Sequence, residues 1–243
     1  MPEGPSILIA KAQMTEFIGH KVITAAGNAK IDIPRLENKK LEDIKTWGKH
    51  LLLCFDGFTI RIHFLLFGTY RINETKEAKL RLGLTFATGA INIYTASVKV
   101  LEGNVNSYYD WSADVMQEEW DEKSALKKLS NKPNMLICDA LLEQDIFSGV
   151  GNIIKNEVLY RVYVHPESIT GQIPPDKLRQ IAEEARVYSF DFLRWKNEGT
   201  LKKHWLAHTK KICKRCDLPM HKHYTGTKKR RSFFCTNCQK LYI

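Results

Sequence analysis

The sequence predicts an α+β protein of several domains, and three observations predict it. Between Val22 and Ala96 the chain is strand-forming, with hairpin signals at Asp56-Gly57, between LLLCF and FTIRI, and at Thr88-Gly89, between LGLTF and AINIY. After Ser124 the apolar residues recur at three- and four-residue intervals, which is the helical period. The final segment carries two Cys-x-x-Cys pairs, Cys213/Cys216 and Cys235/Cys238, inside a dense run of Lys and Arg. The expected order is therefore a β-rich domain over 1–115, a sandwich or flattened barrel, then a helical domain over 124–200 and a cysteine-rich hairpin over 205–243.

Each element has a local reason. Residues 5 to 18 read as an opening helix, with Pro5 suited to the first turn and Ile7, Ala10, Met14 and Phe17 on one stripe. Strands follow, and the stretch from 97 to 123 has no clear period, with Asn106 to Ser112 reading as loop. Ser124 is suited to cap a helix beginning ALKKL, and a second helix is expected over Met135 to Gln144. Asp145 to Gly151 is a glycine-punctuated turn, after which Asn152 is suited to cap a helix through Arg161. Pro174-Pro175 opens a long helix whose stripe of Leu178, Ile181, Ala185, Tyr188, Phe192 and Trp195 is core, and Gly199 ends it. No internal repeat is present.

Composition narrows the class. With 243 residues, 44% hydrophobic and 26% charged, the chain is that of a soluble globular protein, without an apolar run long enough to span a membrane. Glu3, Lys11, Glu16 and Lys21 interrupt the start where a signal peptide would be apolar, so a cytoplasmic, bacterial-type protein is expected. In a reducing compartment two tight cysteine pairs point to metal rather than disulfides, while Cys54 and Cys138, in apolar runs, are expected to be buried bystanders. From Lys210 to Ile243 ten Lys and Arg face one acid, Asp217, so this segment supplies nearly all of the net charge of +10. Such a block suits a polyanion, because neutralised phosphates release condensed counterions; its alternative is a solvated tail.

Two motifs carry chemistry. The Cys pairs are separated by eighteen residues, with FF before the second and LYI after it, a spacing that fits a zinc ribbon. Four thiolates close the coordination sphere and leave no position for activating water, so the ion would be structural. His221 and His223 lie in the loop as rival ligands but read better as surface residues facing phosphate. At the other end, removal of Met1 would give Pro2 a secondary α-amine. An α-amine has a pKa of about 8 against about 10.4 for lysine, so it is unprotonated roughly a few hundred times more often at neutral pH. Such an amine can attack an aldehyde-like carbon, and Glu3 beside it is placed to move a proton at the same centre.

With MPEGP at the start, WGKHLL, HFLLFG, LLEQDIFSGVGNI followed by His165-Pro166, and RRSFFC in the ribbon, the whole chain resembles the formamidopyrimidine-DNA glycosylase and endonuclease VIII family. The resemblance implies an N-terminal β-sandwich, a helix-two-turns-helix module around SGVGN, a zinc-bearing β-hairpin, and double-stranded DNA with damaged bases or abasic sites as the partner. It implies that Pro2 attacks C1′ of a flipped-out nucleotide while Glu3 assists, and that elimination then cuts the strand on both sides of the lesion. Lys49 matches the family's hairpin lysine near the damaged sugar. Asn152 and Arg230 match the pair that grips the flanking phosphates, which suits a helix start and a guanidinium fork. Leu65, Leu66 and Phe67 align with the wedge that fills the hole left by the extruded base, a role that four large apolar residues before Gly68 favour over strand core.

Departures from the family pattern bear on substrate. Where purine-directed members carry an Asp-x-Arg-x-Phe type segment, this chain reads Tyr94-Thr95-Ala96-Ser97-Val98, and only Gly199 to Lys211 is available for a lesion-covering loop. Both features imply the endonuclease VIII branch and oxidised pyrimidines, with oxidised purines (8-oxoguanine, formamidopyrimidine) or a non-catalytic lesion binder as alternatives. Ser6 replaces a common glutamate and Ile154 a common tyrosine; Ser6 would blunt base release while sparing strand cleavage. A zinc-ribbon adaptor of transcription or translation would leave Pro2, Glu3 and the wedge unexplained. The protein is expected to act as a monomer.

Overall fold

The computed structural model describes Pro2 to Ile243; Met1, whose removal would free the Pro2 amine, lies outside the described residues. The opening stripe forms helix α1, Gly4–Met14, with Pro5 in its first turn, and buries Ile7, Ala10 and Met14; a short tight turn of helix then carries Phe17 into the same core. Strands follow as β1 (Thr24–Ala26), β2 (Asp43–Trp47), β3 (His50–Phe55), β4 (Phe58–His63), β5 (Thr69–Ile72), β6 (Leu80–Phe86), β7 (Gly89–Tyr94) and β8 (Ser97–Glu102). They make two antiparallel sheets, ordered β2-β3-β4-β8 and β1-β6-β7-β5. Alternating residues from both sheets, among them Leu51, Leu53, Ile60, Ile62, Leu82, Leu84, Ile91 and Ile93, share one core with α1, which is the expected sandwich.

The hairpins form where the turn residues permit, with one shift. Asp56-Gly57 joins β3 to β4 with Phe55 opposite Phe58. The second hairpin turns one residue earlier than the sequence suggests, on Ala87-Thr88, because Gly89 already pairs with Phe86. The featureless stretch begins with a regular strand, β8, which pairs with β4 from Phe58↔Glu102 to His63↔Ser97. Cys54 is half-buried rather than buried, since β3 turns it to the less covered face; Cys138 is buried as expected.

The chain divides into two compact units between Tyr109 and Asp110, and the helices after α1 and the cysteine-rich hairpin belong to the second. Helix α2, Glu122–Ser130, is capped by Asp121 and not by Ser124: the Asp121 carboxylate accepts from the N–H groups of Lys123 and Ser124. The expected helix over Met135 to Gln144 shrinks to α3, Ile137–Ala140. Neighbouring backbone takes the flanking groups: Met135 C=O accepts from Thr170, while Ile137 and Cys138 donate to Ser168 and Pro166. Helix α4, Asn152–Arg161, is capped by extended Gly151, so Asn152 is its first residue and not its cap. Helix α5, Pro175–Asn197, buries Ile181, Ala185, Tyr188, Phe192 and Trp195, with Leu178 half-buried. The chain ends in a two-stranded hairpin, β9 (His221–Thr225) and β10 (Arg230–Phe234), paired from Arg230↔Thr225 to Phe234↔His221.

Candidate functional site

In the first unit, Glu3 is the extended residue that starts α1, and it is only 1% exposed although it bears a carboxylate. A carboxylate is removed from water only where polar partners compensate, so its burial marks a built site; Pro2, beside it, is half-buried. The β2–β3 hairpin packs against α1, and its two-residue turn, Gly48-Lys49 between paired Trp47 and His50, carries Lys49.

Two histidines that sequence reasoning passed over border this turn. Burial pushes His50 down to about 3, helped by the charges of Arg61, His63 and Lys49; burial, then Lys49 and Arg61, also lowers His63. His50 Nδ1 lies 3.2 Å from the Tyr109 hydroxyl, and its ring lies 5.5 Å from that of His63. Burial therefore favours the neutral form of both histidines, beside the Lys49 and Arg61 side chains. The sequence signal was available, since His50 and His63 are paired neighbours on adjacent strands of one hairpin.

The Leu65–Phe67 segment is not strand. It is a tight turn between β4 and β5 in which Leu65, Leu66 and Phe67 are 45%, 52% and 74% exposed, while Phe64 alone enters the core. Gly68 N–H closes the turn on Phe64 C=O at 2.7 Å, and a Cβ at Gly68 would meet that oxygen at 2.0 Å, so only glycine fits. His63 Nδ1 accepts from Leu65 N–H at 3.2 Å and holds the other side. Three adjacent large apolar side chains held in water by a braced turn are unfavourable for folding alone and suit insertion into a partner.

In the second unit the four Sγ atoms of Cys213, Cys216, Cys235 and Cys238 lie within 4.8 Å of one another, the one metal-competent cluster found among the described residues. The pairs Cys213–Cys238 and Cys216–Cys235 are 3.9 and 3.5 Å apart. A tetrahedral ion with Zn–S bonds of about 2.3 Å requires sulfurs about 3.8 Å apart, so the geometry fits. His221 and His223 are exposed and outside the cluster, with His221 stacked on Phe234. Burial works against the Cys213 thiolate, but the Tyr160 hydroxyl at 3.1 Å and the N–H groups of Arg215 and Cys216 bring it down to about 6. Burial and the neighbouring thiols push Cys238 up to about 12 and raise Cys235, a crowding that a cation relieves.

Asn152 meets the backbone of the residue that follows Arg230. Asn152 Nδ2 donates to the carbonyl of Arg231 at 2.9 Å, and Arg230 opens β10. Sequence reasoning missed the residues that follow Asn152. Lys155, Asn156 and Glu157 look like a solvated face, yet all three are buried. Lys155 donates to Ser232 Oγ at 2.8 Å, and Glu157 accepts the N–H groups of Leu206, Ala207 and His208 at 2.7 to 2.9 Å. The basic block is also partly committed internally: Lys228 pairs with Glu143 at 2.7 Å, and Arg215 stacks between Tyr160 and Tyr163 at 4.0 and 3.7 Å. At the hairpin tip Asp139 accepts from Thr227 N–H, Thr227 Oγ1 and Lys228 N–H, and a Cβ at Gly226 would strike that carboxylate at 2.3 Å. Among the described residues no helix is long and apolar enough to cross a membrane.

Comparison with known proteins agrees with this geometry. Residues 112–188 match the formamidopyrimidine-DNA glycosylase H2TH domain. The chain is 26% identical over 236 residues to Endonuclease 8-like 3 of Xenopus laevis, covering 90% of this chain and 38% of that protein. It is 24% identical to the DNA-(apurinic or apyrimidinic site) lyase Nei2 of Mycolicibacterium smegmatis, covering 98% and 99% of the two chains. The fold matches the crystal structure of Lactococcus lactis formamidopyrimidine-DNA glycosylase bound non-covalently to AP-site DNA, with a TM-score of 0.87, 22% identity and coverage of 98% and 99%.

Proposed function

This chain belongs to the formamidopyrimidine-DNA glycosylase and endonuclease VIII family, and from that membership we propose that it is a bifunctional DNA glycosylase and abasic-site lyase acting on oxidised pyrimidines in double-stranded DNA. The observation that carries the reading is the sealed Glu3 carboxylate next to Pro2. Where Met1 is removed, the Pro2 amine adds to C1′ as the damaged base departs with the amine's proton, leaving a closed-ring aminal; breaking C1′–O4′, with a proton delivered to O4′, then gives the iminium between the nitrogen and the opened sugar. Glu3 moves the proton that opens the sugar. Loss of a C2′ proton then expels the 3′ phosphate, and a second elimination expels the 5′ phosphate. Lys49 supplies positive charge at the sugar and its phosphate.

The remaining residues hold the duplex. Asn152 and Arg230 take the phosphates flanking the lesion, and Leu65, Leu66 and Phe67 fill the vacated stack. The four thiolates hold one zinc ion, whose chemistry is structural: it fixes the base of the β9–β10 hairpin. The pyrimidine preference rests on the segment after Gly199, which is too committed to enclose a flipped purine: part of it is helical turn, Leu201–His204, and Glu157 pins Leu206 to His208. The chain spans about 38% of the length of the Xenopus laevis relative.

Borohydride trapping tests the reading. On duplexes carrying dihydrothymine, thymine glycol, 8-oxoguanine or an abasic site, a reduced adduct is expected at Pro2 by peptide mapping, formed faster with both pyrimidine lesions than with 8-oxoguanine. Attachment at Lys49 would show the wrong nucleophile, and faster 8-oxoguanine release would sink the pyrimidine assignment. Glu3→Gln should cripple base release and leave appreciable cleavage of a preformed abasic site.

A further inference from the structure

Strand β10 has β9 along one edge, and along the other it meets side chains of α4. Asn156 treats that edge as a neighbouring strand would. Its Oδ1 accepts the Phe233 N–H at 3.1 Å, and its Nδ2 lies 3.3 Å from the Arg231 carbonyl. The same Nδ2 donates to the Asn152 carbonyl at 2.8 Å and lies 3.2 Å from His208 Nδ1. The Arg231 carbonyl is approached by two further donors, Asn152 Nδ2 at 2.9 Å and Lys155 Nζ at 3.5 Å. One buried carboxamide therefore joins the first turn of α4, the segment leading into the hairpin, and the hairpin strand.

A two-stranded hairpin is at best marginally stable in water, and its register and twist are weakly specified unless a further edge or face is engaged. Fixing the carbonyl of Arg231 and the amide of Phe233 fixes the direction of the backbone from which the Arg230 side chain leaves. We propose that Asn156 is a positioning residue for Arg230: it sets the register and twist of β10 against α4, so that Arg230 and Asn152 meet the lesion-flanking phosphates as one preassembled pair. This rests on the reading of Arg230 as a phosphate contact. Pre-ordering matters because a guanidinium fork binds phosphate well only in the right orientation.

A double-mutant cycle decides it, using the zinc-loaded full chain and a duplex with a tetrahydrofuran abasic-site analogue, with Kd measured across a range of salt. Arg230→Ala should weaken binding roughly 10- to 100-fold and reduce the steepness of log Kd against log salt by about one. Asn156→Ala should weaken binding by about tenfold with the same change in salt slope, which a loss of general stability would not produce. The double variant should bind no more weakly than Arg230→Ala alone. Multiplied losses in the double variant, or an unchanged salt slope for Asn156→Ala, would overturn the proposal. Arg230→Ala binding like the unmodified protein would overturn the phosphate reading, and the proposal with it. If Asn156→Ala sheds zinc or melts early, Asn156→Ser, which leaves the net charge unchanged and is too short to bridge Phe233 N–H and the Arg231 carbonyl, faces the same two criteria.

Discussion

The sandwich and the terminal hairpin solve the same problem, holding functional side chains still, with different physics. The sandwich has enough chain to bury a continuous apolar core, running from α1 through both sheets. The hairpin does not: the cluster at its base is Tyr160, Ala207, Cys213 and Cys235, half of it thiols. It compensates with the four-cysteine centre, the Lys155, Asn156 and Glu157 contacts, and Asp139 at its tip. The difference teaches that rigidity bought with apolar area is diffuse, whereas rigidity from polar contacts and metal sits on a few atoms and can be removed one contact at a time.

The sharpest break is removal of the metal. With about 10–16 kcal/mol of apparent binding free energy typical of structural zinc sites at pH 7, chelation or Cys235→Ser should unfold the hairpin and abolish duplex binding. Circular dichroism should still report a folded sandwich; its collapse together with the hairpin would erase the contrast. Next comes the sandwich itself: Leu53→Ala, at a fully buried core position, should cost about 2–5 kcal/mol in denaturant melts while zinc stoichiometry stays at one. Glu157→Gln should cost about 1.5–3 kcal/mol by weakening charge-assisted bonds to Leu206, Ala207 and His208, with earlier zinc release to a chelator than in the unmodified protein.

Acid acts on both halves through a buried histidine. His50 sits in the sandwich with its pKa pushed down to about 3 by burial, and His208 in the second unit is pushed down to about 4, also chiefly by burial. In each case the unfolded chain binds the proton more readily, so the stability is complete above about 6.5 and is lost as pH falls toward the folded value, by about 1.4 kcal/mol per pH unit and per group. His50→Gln should flatten the pH dependence of sandwich unfolding between about 6.5 and 3, and an unaltered slope would mean that His50 does not set it. The smallest effect on stability is expected at the wedge: Leu66→Ala and Phe67→Ala, at exposed positions, should change stability by less than about 0.5 kcal/mol. Excision from duplex should nonetheless fall far more than excision from single strands, and an equal loss on both would point to folding instead.

What the sequence disclosed follows the same division. Periodicity and turn residues disclosed α1, the hairpins and α5, because burial of apolar side chains leaves a pattern in the chain. The four cysteines and the run before Gly68 were legible because both violate ordinary composition locally. Contacts that depend on which polar atom wins a backbone group were not. Asp121 displaced Ser124 as a cap, backbone from Pro166 to Thr170 shortened the helix expected over Met135 to Gln144, and Gly151 took the place given to Asn152. Lys-Asn-Glu in mid-helix carries no sign of burial, since its partners lie 49 to 77 residues away along the chain.

Asp139 beneath Gly226 gives the hairpin a second support. A beam anchored only at its base, as a hairpin held by cysteines alone would be, deflects most at its free end, near which Arg230 lies. Propped at the tip by Thr227 and Lys228 on Asp139, and seated at the base on the cysteines, the same beam transmits load instead of bending. Force applied at Arg230, such as the phosphate contact proposed for it would bring, would therefore pass into α3 and α4 rather than dissipate in the hairpin.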